Sequence, residues 1–127
     1  MNLEKVVFGF FIILAMTLNF GFFIGDLTDP AQHDVIEMFA AIVVNLIATV
    51  LKFGDRTQIG AIHLASSLVA DLHLIAAAIV WAVVVHVTGA GLTPANTASI
   101  VSLAGGALLA NVVSVAILVV ETVMMRR

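Results

Sequence analysis

The chain has 127 residues, 62% of them hydrophobic and only 10% charged, with a formal net charge of −3 and a mean hydropathy of +1.20. Soluble domains carry about 25% charged residues, so this composition excludes a water-facing surface and predicts an all-α integral membrane protein, one transmembrane domain over residues 1–127. The absence of cysteine removes disulfides, thiolate zinc sites and cysteine nucleophiles, and the negative net charge leaves no nucleic-acid footprint.

Four apolar stretches predict transmembrane helices over approximately residues 4–25, 30–53, 57–88 and 94–124, each near or above the roughly 20 residues that span a hydrocarbon core. The first is expected to be retained rather than cleaved, because Glu4 beside Lys5 dilutes a positive leader and no small-residue cleavage site follows. Asp29-Pro30-Ala31-Gln32 offers an N-cap oxygen, a proline at the first helical position and a capping-box glutamine, so helix 2 is expected to start near Pro30. Gly54 closes that helix, and Asp55 followed by Gln58 is positioned to cap the next. Gly89 and Gly91 stop helix 3, after which Thr93-Pro94-Ala95-Asn96 repeats the proline device before helix 4. The likeness of the two proline turns reads as two helical hairpins, although the helices themselves do not align.

Orientation follows from the basic residues. With the N-terminus inside, Lys5, Lys52, Arg56, Arg126 and Arg127 all face the cytoplasm, and the two outer turns contain no Lys or Arg. Both termini are thus expected to be cytoplasmic, in a bacterial cytoplasmic (inner) membrane.

Charged groups within hydrocarbon cost at least about 2.5–3.5 kcal/mol each, so each polar residue at membrane depth is a functional candidate. In helix 2, Glu37, Asn45, Thr49 and Lys52, with Ala41 between them, recur at a spacing near four and predict one polar stripe. In helix 3, His63, Ser67 and Asp71 fall four apart, Ser66 is adjacent, and His73 turns to the other side. Asp71 is the deepest charge; it must be ionised beside a cation or water, or protonated. Glu37, Asn45, Thr49, Asp71 and His73 form the expected ion path, crossing the full bilayer, with His63 at the inner interface and Ser67 beside it at an inner mouth. The plainer role for Asn45, Thr49 and Asp71 is hydrogen bonding between helices, with Asp71 joined to Asn45, Asn111 or a histidine. On the outer side Asp26, Asp29, His33 and Asp34 make an acidic turn suited to attracting cations, and His33 and Glu37, four apart, suggest a cation site of unspecified metal. Trp81 and His86 suit the outer interface. Gly21 with Gly25, and Gly105 with Gly106, allow close approach of helices within the chain or between copies.

The sequence carries no HExxH, no nucleophile elbow, no phosphate-cradling loop and no carbonyl filter of the potassium-channel kind. Neither an enzyme nor a cofactor is expected. The leading expectation is a small homo-oligomeric channel or transporter for an inorganic cation in the lipid bilayer, its polar path lined by helices 2 and 3 and lying between protomers. The alternative is a non-conducting accessory or assembly protein whose polar residues contact a larger membrane partner.

Overall fold

The computed structural model describes residues 3–125, and every regular element among them is helical. Helix α1 runs Leu3–Phe23, α2 Val35–Lys52, α3 Gln58–Ala82 and α4 Pro94–Met125, with a π-helical extension of α3 over Val83–Val87. All four are long and apolar enough to cross a membrane, the signature of an integral membrane protein.

The turns deviate from expectation in instructive ways. Helix α2 does not start at Pro30. Asp29 caps only a short 3-10 turn, Pro30–Gln32, by accepting from the Ala31 N–H at 3.0 Å; the chain then runs extended through His33, and Asp34 caps α2 by accepting from the Ile36 N–H at 2.9 Å. Gln32 turns back to accept from the Asp26 N–H at 2.7 Å, against Gly25, whose φ of +112° suits glycine. At the next turn Thr57, rather than Asp55, caps α3 through the Gly60 N–H at 2.9 Å, while Asp55 accepts from both the backbone N–H and the hydroxyl of Thr57. The turn before α4 has no 3-10 insert, because Thr93 itself accepts from the Asn96 N–H at 3.1 Å. The two similar proline turns therefore fold differently.

The helices form a ring in which α1 packs on α2, α2 on α3, α3 on α4, and α4 back on α1. Contacts at opposite ends establish that α1 is antiparallel to both of its neighbours. Lys5 pairs with Glu121 while Phe23 lies by Gly105, and Lys52 sits 4.3 Å from the Phe8 ring centre while Glu37 lies on Gly21. Lys5, Lys52 and Arg56 thus gather at one end of the bundle, called the basic end; Asp26, Asp29, His33 and Thr93 lie at the other, the acidic end. The interior toward the acidic end is apolar, built on Phe22, Met38, Leu74, Ile100 and Val101 among alanines. Toward the basic end Phe8, Ile12 and Ala48 form a smaller apolar cluster, and polar side chains fill the rest.

The four glycines that suggested contacts between copies are all occupied within the chain. Glu37 lies on Gly21, Gln32 on Gly25, Phe23 on Gly105 and His73 on Gly106. These positions give no support for an interface between protomers.

Candidate functional site

The buried polar groups meet in the bundle interior, and each helix supplies at least one of them. From α2 and α3 come the central contacts. Asn45 Nδ2 donates to Asp71 Oδ1 at 2.5 Å and to the Ser67 carbonyl at 3.2 Å, and Thr49 Oγ1 lies 2.6 Å from Asp71 Oδ2. Asp71 is only 6% exposed and has no cationic side chain among its hydrogen-bond partners. Helix α4 adds Asn111 and Ser114, the latter bonded to Ser66, and α1 adds Asn19. Asn19 and Asn111 are fully buried, and neither amide oxygen nor amide nitrogen has a partner among the described residues; the same holds for Asn45 Oδ1 and Ser67 Oγ. Native interiors seldom leave so many buried polar atoms unpaired by protein, because each costs about 1–3 kcal/mol unless water or a ligand satisfies it.

His63 lies toward the basic end, near Glu121, but inside the bundle. It is fully buried, its ring 4.9 Å from that of Phe8, with Nε2 3.8 Å from Glu121 Oε1 and neither ring nitrogen hydrogen-bonded. The other oxygen of Glu121 pairs with Lys5. Beside these residues the basic end opens into a cleft of ≈ 750 Å³, lined by Lys5, Lys52, Asp55, Arg56 and Glu121 among others. At the acidic end the cavity between Phe22, His33, Trp81 and Thr97 measures ≈ 10 Å³, the space of about one water.

Two expected members of the path stand apart. Glu37 packs on α1 at Gly21, and His73 packs on α4 at Gly106 while its Nδ1 donates to the Val69 carbonyl at 2.9 Å. Between the level of Glu37 and the Asn45–Asp71 contact lie Ala41 and the apolar cluster of Met38 and Leu74. The hydrogen-bonded polar residues Asn45, Thr49 and Asp71 lie on the basic side of that cluster, while buried Asn19 lies level with it on α1 and buried Thr97 lies beyond it toward the acidic end.

The acidic turn is likewise built for local structure. Asp26 accepts from the N–H and hydroxyl of Thr28, while Asp29 and Asp34 serve as caps. The Thr28 bonds, backbone first, hold the Asp26 carboxyl below the usual carboxylate range, and the neighbouring His33 adds to this. His33 is buried and both of its ring nitrogens face backbone carbonyls, Phe22 O at 2.5 Å and Asp26 O at 2.6 Å, so neither is available to a cation shared with Glu37. Among the described residues no three His, Asp or Glu side chains come together as a metal site.

Residues 32–122 match the model of a family of unknown function, DUF6394. The chain belongs to that family. No curated protein and no solved structure matches it. The matched segment carries Asn45, Thr49, His63, Ser67, Asp71 and Asn111, while α1 and Asn19 precede it. Asn19 and Asn111 lie outside the path expected from the sequence, Asn19 because it has no polar neighbour at helical spacing in α1.

Proposed function

We propose that this DUF6394 member is a small cation transporter or channel whose ion site is Asp71, inside a single four-helix protomer. The observation that carries the reading is a buried carboxyl whose hydrogen-bond partners among the described residues are an amide and a hydroxyl rather than a cation, in a bundle that also buries amide and hydroxyl atoms without a partner among the described residues. Such an interior suits water and a small cation better than dry helix packing, which would pair its polar atoms. The open cleft at the basic end, against the mainly apolar packing toward the other, supports access from the basic end. The distribution of Lys5, Lys52 and Arg56 supports a cytoplasmic basic end, with both termini on the cytoplasmic side of a bacterial inner membrane. Passage outward then requires the layer of Phe22, Met38 and Leu74 to part. An accessory role through these polar residues is poorly supported, since their burial keeps them from any partner.

The test is flux of sodium, potassium and protons into liposomes containing the purified chain. Wild-type protein should move at least one of them, and Asp71→Asn, which keeps the side chain's size and hydrogen bonding, should abolish that flux without loss of fold. Unchanged flux in folded Asp71→Asn protein, or no flux of any cation in wild type, overturns the proposal. A reporter active only outside the cytoplasm, fused at Arg127, should stay silent if the basic end is internal.

A further inference from the structure

Resting on that reading, we infer that the cation is a proton, passed between the cleft at the basic end and Asp71 along His63 and Ser67 on α3. Three observations converge on it. The first is hydrogen-bond arithmetic at the carboxyl. Thr49 Oγ1 lies 2.6 Å from Asp71 Oδ2 and 2.9 Å from the Asn45 carbonyl oxygen. A threonine hydroxyl has one proton to donate. It cannot fully serve both an ionised carboxylate and a carbonyl. If the proton sits on Asp71 Oδ2 instead, that O–H donates to Thr49 Oγ1, Thr49 donates to the Asn45 carbonyl, and Asn45 Nδ2 donates to Asp71 Oδ1. Every short contact of the carboxyl then has one donor and one acceptor.

The second observation is the series of unpaired groups beneath it. His63, Ser67 and Asp71 follow one another at single-turn steps of about 6 Å along α3, all three buried. Both ring nitrogens of His63 and the Ser67 hydroxyl have no partner among the described residues; the ring turns toward Phe8 and Glu121 and the carboxyl toward α2, so the inferred relay runs through water that bridges them by way of Ser67. The third is the link to the cleft. Glu121 Oε2 is held by Lys5, while Oε1 faces His63 Nε2 at 3.8 Å. The charged groups acting on the ring are therefore Glu121 from α4, Lys5 from α1 and Lys52 from α2.

In the uptake direction, His63 Nε2 accepts a proton from cleft water, with Glu121 Oε1 balancing the imidazolium. Nδ1 gives up its proton to the water beside Ser67, and that water chain delivers one proton to the Asp71 carboxylate. Histidine suits the position because its two nitrogens can accept and release on opposite sides. One proton leaves the cleft and one arrives at Asp71, so charge and atoms balance. Return of His63 to its starting tautomer completes the cycle.

The test uses the full chain in liposomes with a trapped pH dye, beside parallel sodium and potassium assays. Proton flux is expected, with His63→Gln and Ser67→Ala slowed by at least roughly tenfold, as for loss of a positioned proton-transfer group, and Asp71→Asn inactive. Sodium or potassium flux that Asp71→Asn abolishes and His63→Gln leaves intact would overturn the proton assignment while leaving the transport reading standing. Proton flux at the wild-type rate in folded His63→Gln protein would overturn the relay. No flux of any cation removes the transport reading and this inference with it. Infrared spectroscopy of the wild-type protein at neutral pH supplies a readout independent of flux: a protonated-carboxyl band that Asp71→Asn removes is expected, and its absence in wild type overturns the assignment.

Discussion

The ring of His73 fills the space over Gly106, where a Cβ would stand 2.5 Å from its Cδ2 and 2.8 Å from its Nε2. Histidine and glycine together thus set how closely α3 and α4 approach. Gly106→Ala should displace the ring or part the helices, at the cost of about 1–3 kcal/mol typical of overpacking. Combining it with His73→Ala should recover part of that loss, since the two positions share one contact. Thermal unfolding in mild detergent measures both; a Gly106→Ala midpoint equal to wild type counts against the contact.

The four helices were legible because their apolar runs are long enough to leave no alternative, and the basic end was legible because Lys and Arg cluster so completely. The polar path was less so. A step of four residues advances a helix by about 40° beyond a full turn, so two steps from Glu37 to Asn45 swing the stripe away from α1 and onto α3. The same drift aims His63 at Phe8 and Glu121, but Asp71 at α2. Cap choice failed for a similar reason of competition: Asp29, Asp34, Asp55 and Thr57 are all good caps, and the sequence does not say which of them the packed helix uses. The contribution of α1 was invisible because Asn19 has no polar neighbour at helical spacing.

His33 links the last turn of α1 to the acidic turn. Phe22 O is among the α1 carbonyls near a helix end, where the intrahelical partners run out, and His33 supplies the donor. His33→Ala should leave the Phe22 carbonyl without its donor, at a cost of about 1–3 kcal/mol for a buried group. His33→Gln, which keeps an amide donor, should be destabilised less. Unfolding midpoints in the order wild type, Gln, Ala bear this out, and three equal midpoints would refute it.

Asp55 gives the turn between α2 and α3 a defined acid response. The Thr57 hydroxyl first, then the Thr57 N–H, with Lys52 nearby, hold its carboxyl below its ordinary value of 3.8. A carboxyl lowered on folding contributes stability that is present above its unfolded value and is lost as pH falls through the folded one. The turn should therefore stay ordered at pH 3.8 and loosen only in stronger acid. Titration of the Asp55 carboxyl by NMR in micelles should show a midpoint below 3.8, moving up in Thr57→Val, which deletes the hydroxyl donor. A midpoint at or above 3.8 in the wild-type protein would contradict the bonding.

Asn111 distinguishes an interior kept polar for function from one that is polar for folding. It is fully buried on α4, and neither end of its amide meets a partner among the described residues. A group in that state adds little to stability through hydrogen bonds, and retaining it costs about 1–3 kcal/mol unless water enters. Asn111→Leu keeps the branched shape and the number of side-chain heavy atoms while removing the unpaired polar ones, so the unfolding midpoint should hold or rise. Cation flux should nevertheless fall, because leucine removes a buried polar group that water in the bundle interior would use. Stability and flux thus move in opposite directions under a functional role. A structural role predicts the reverse pairing: Asn111→Leu would unfold at lower temperature, while any protein that still assembled would carry flux at the wild-type rate.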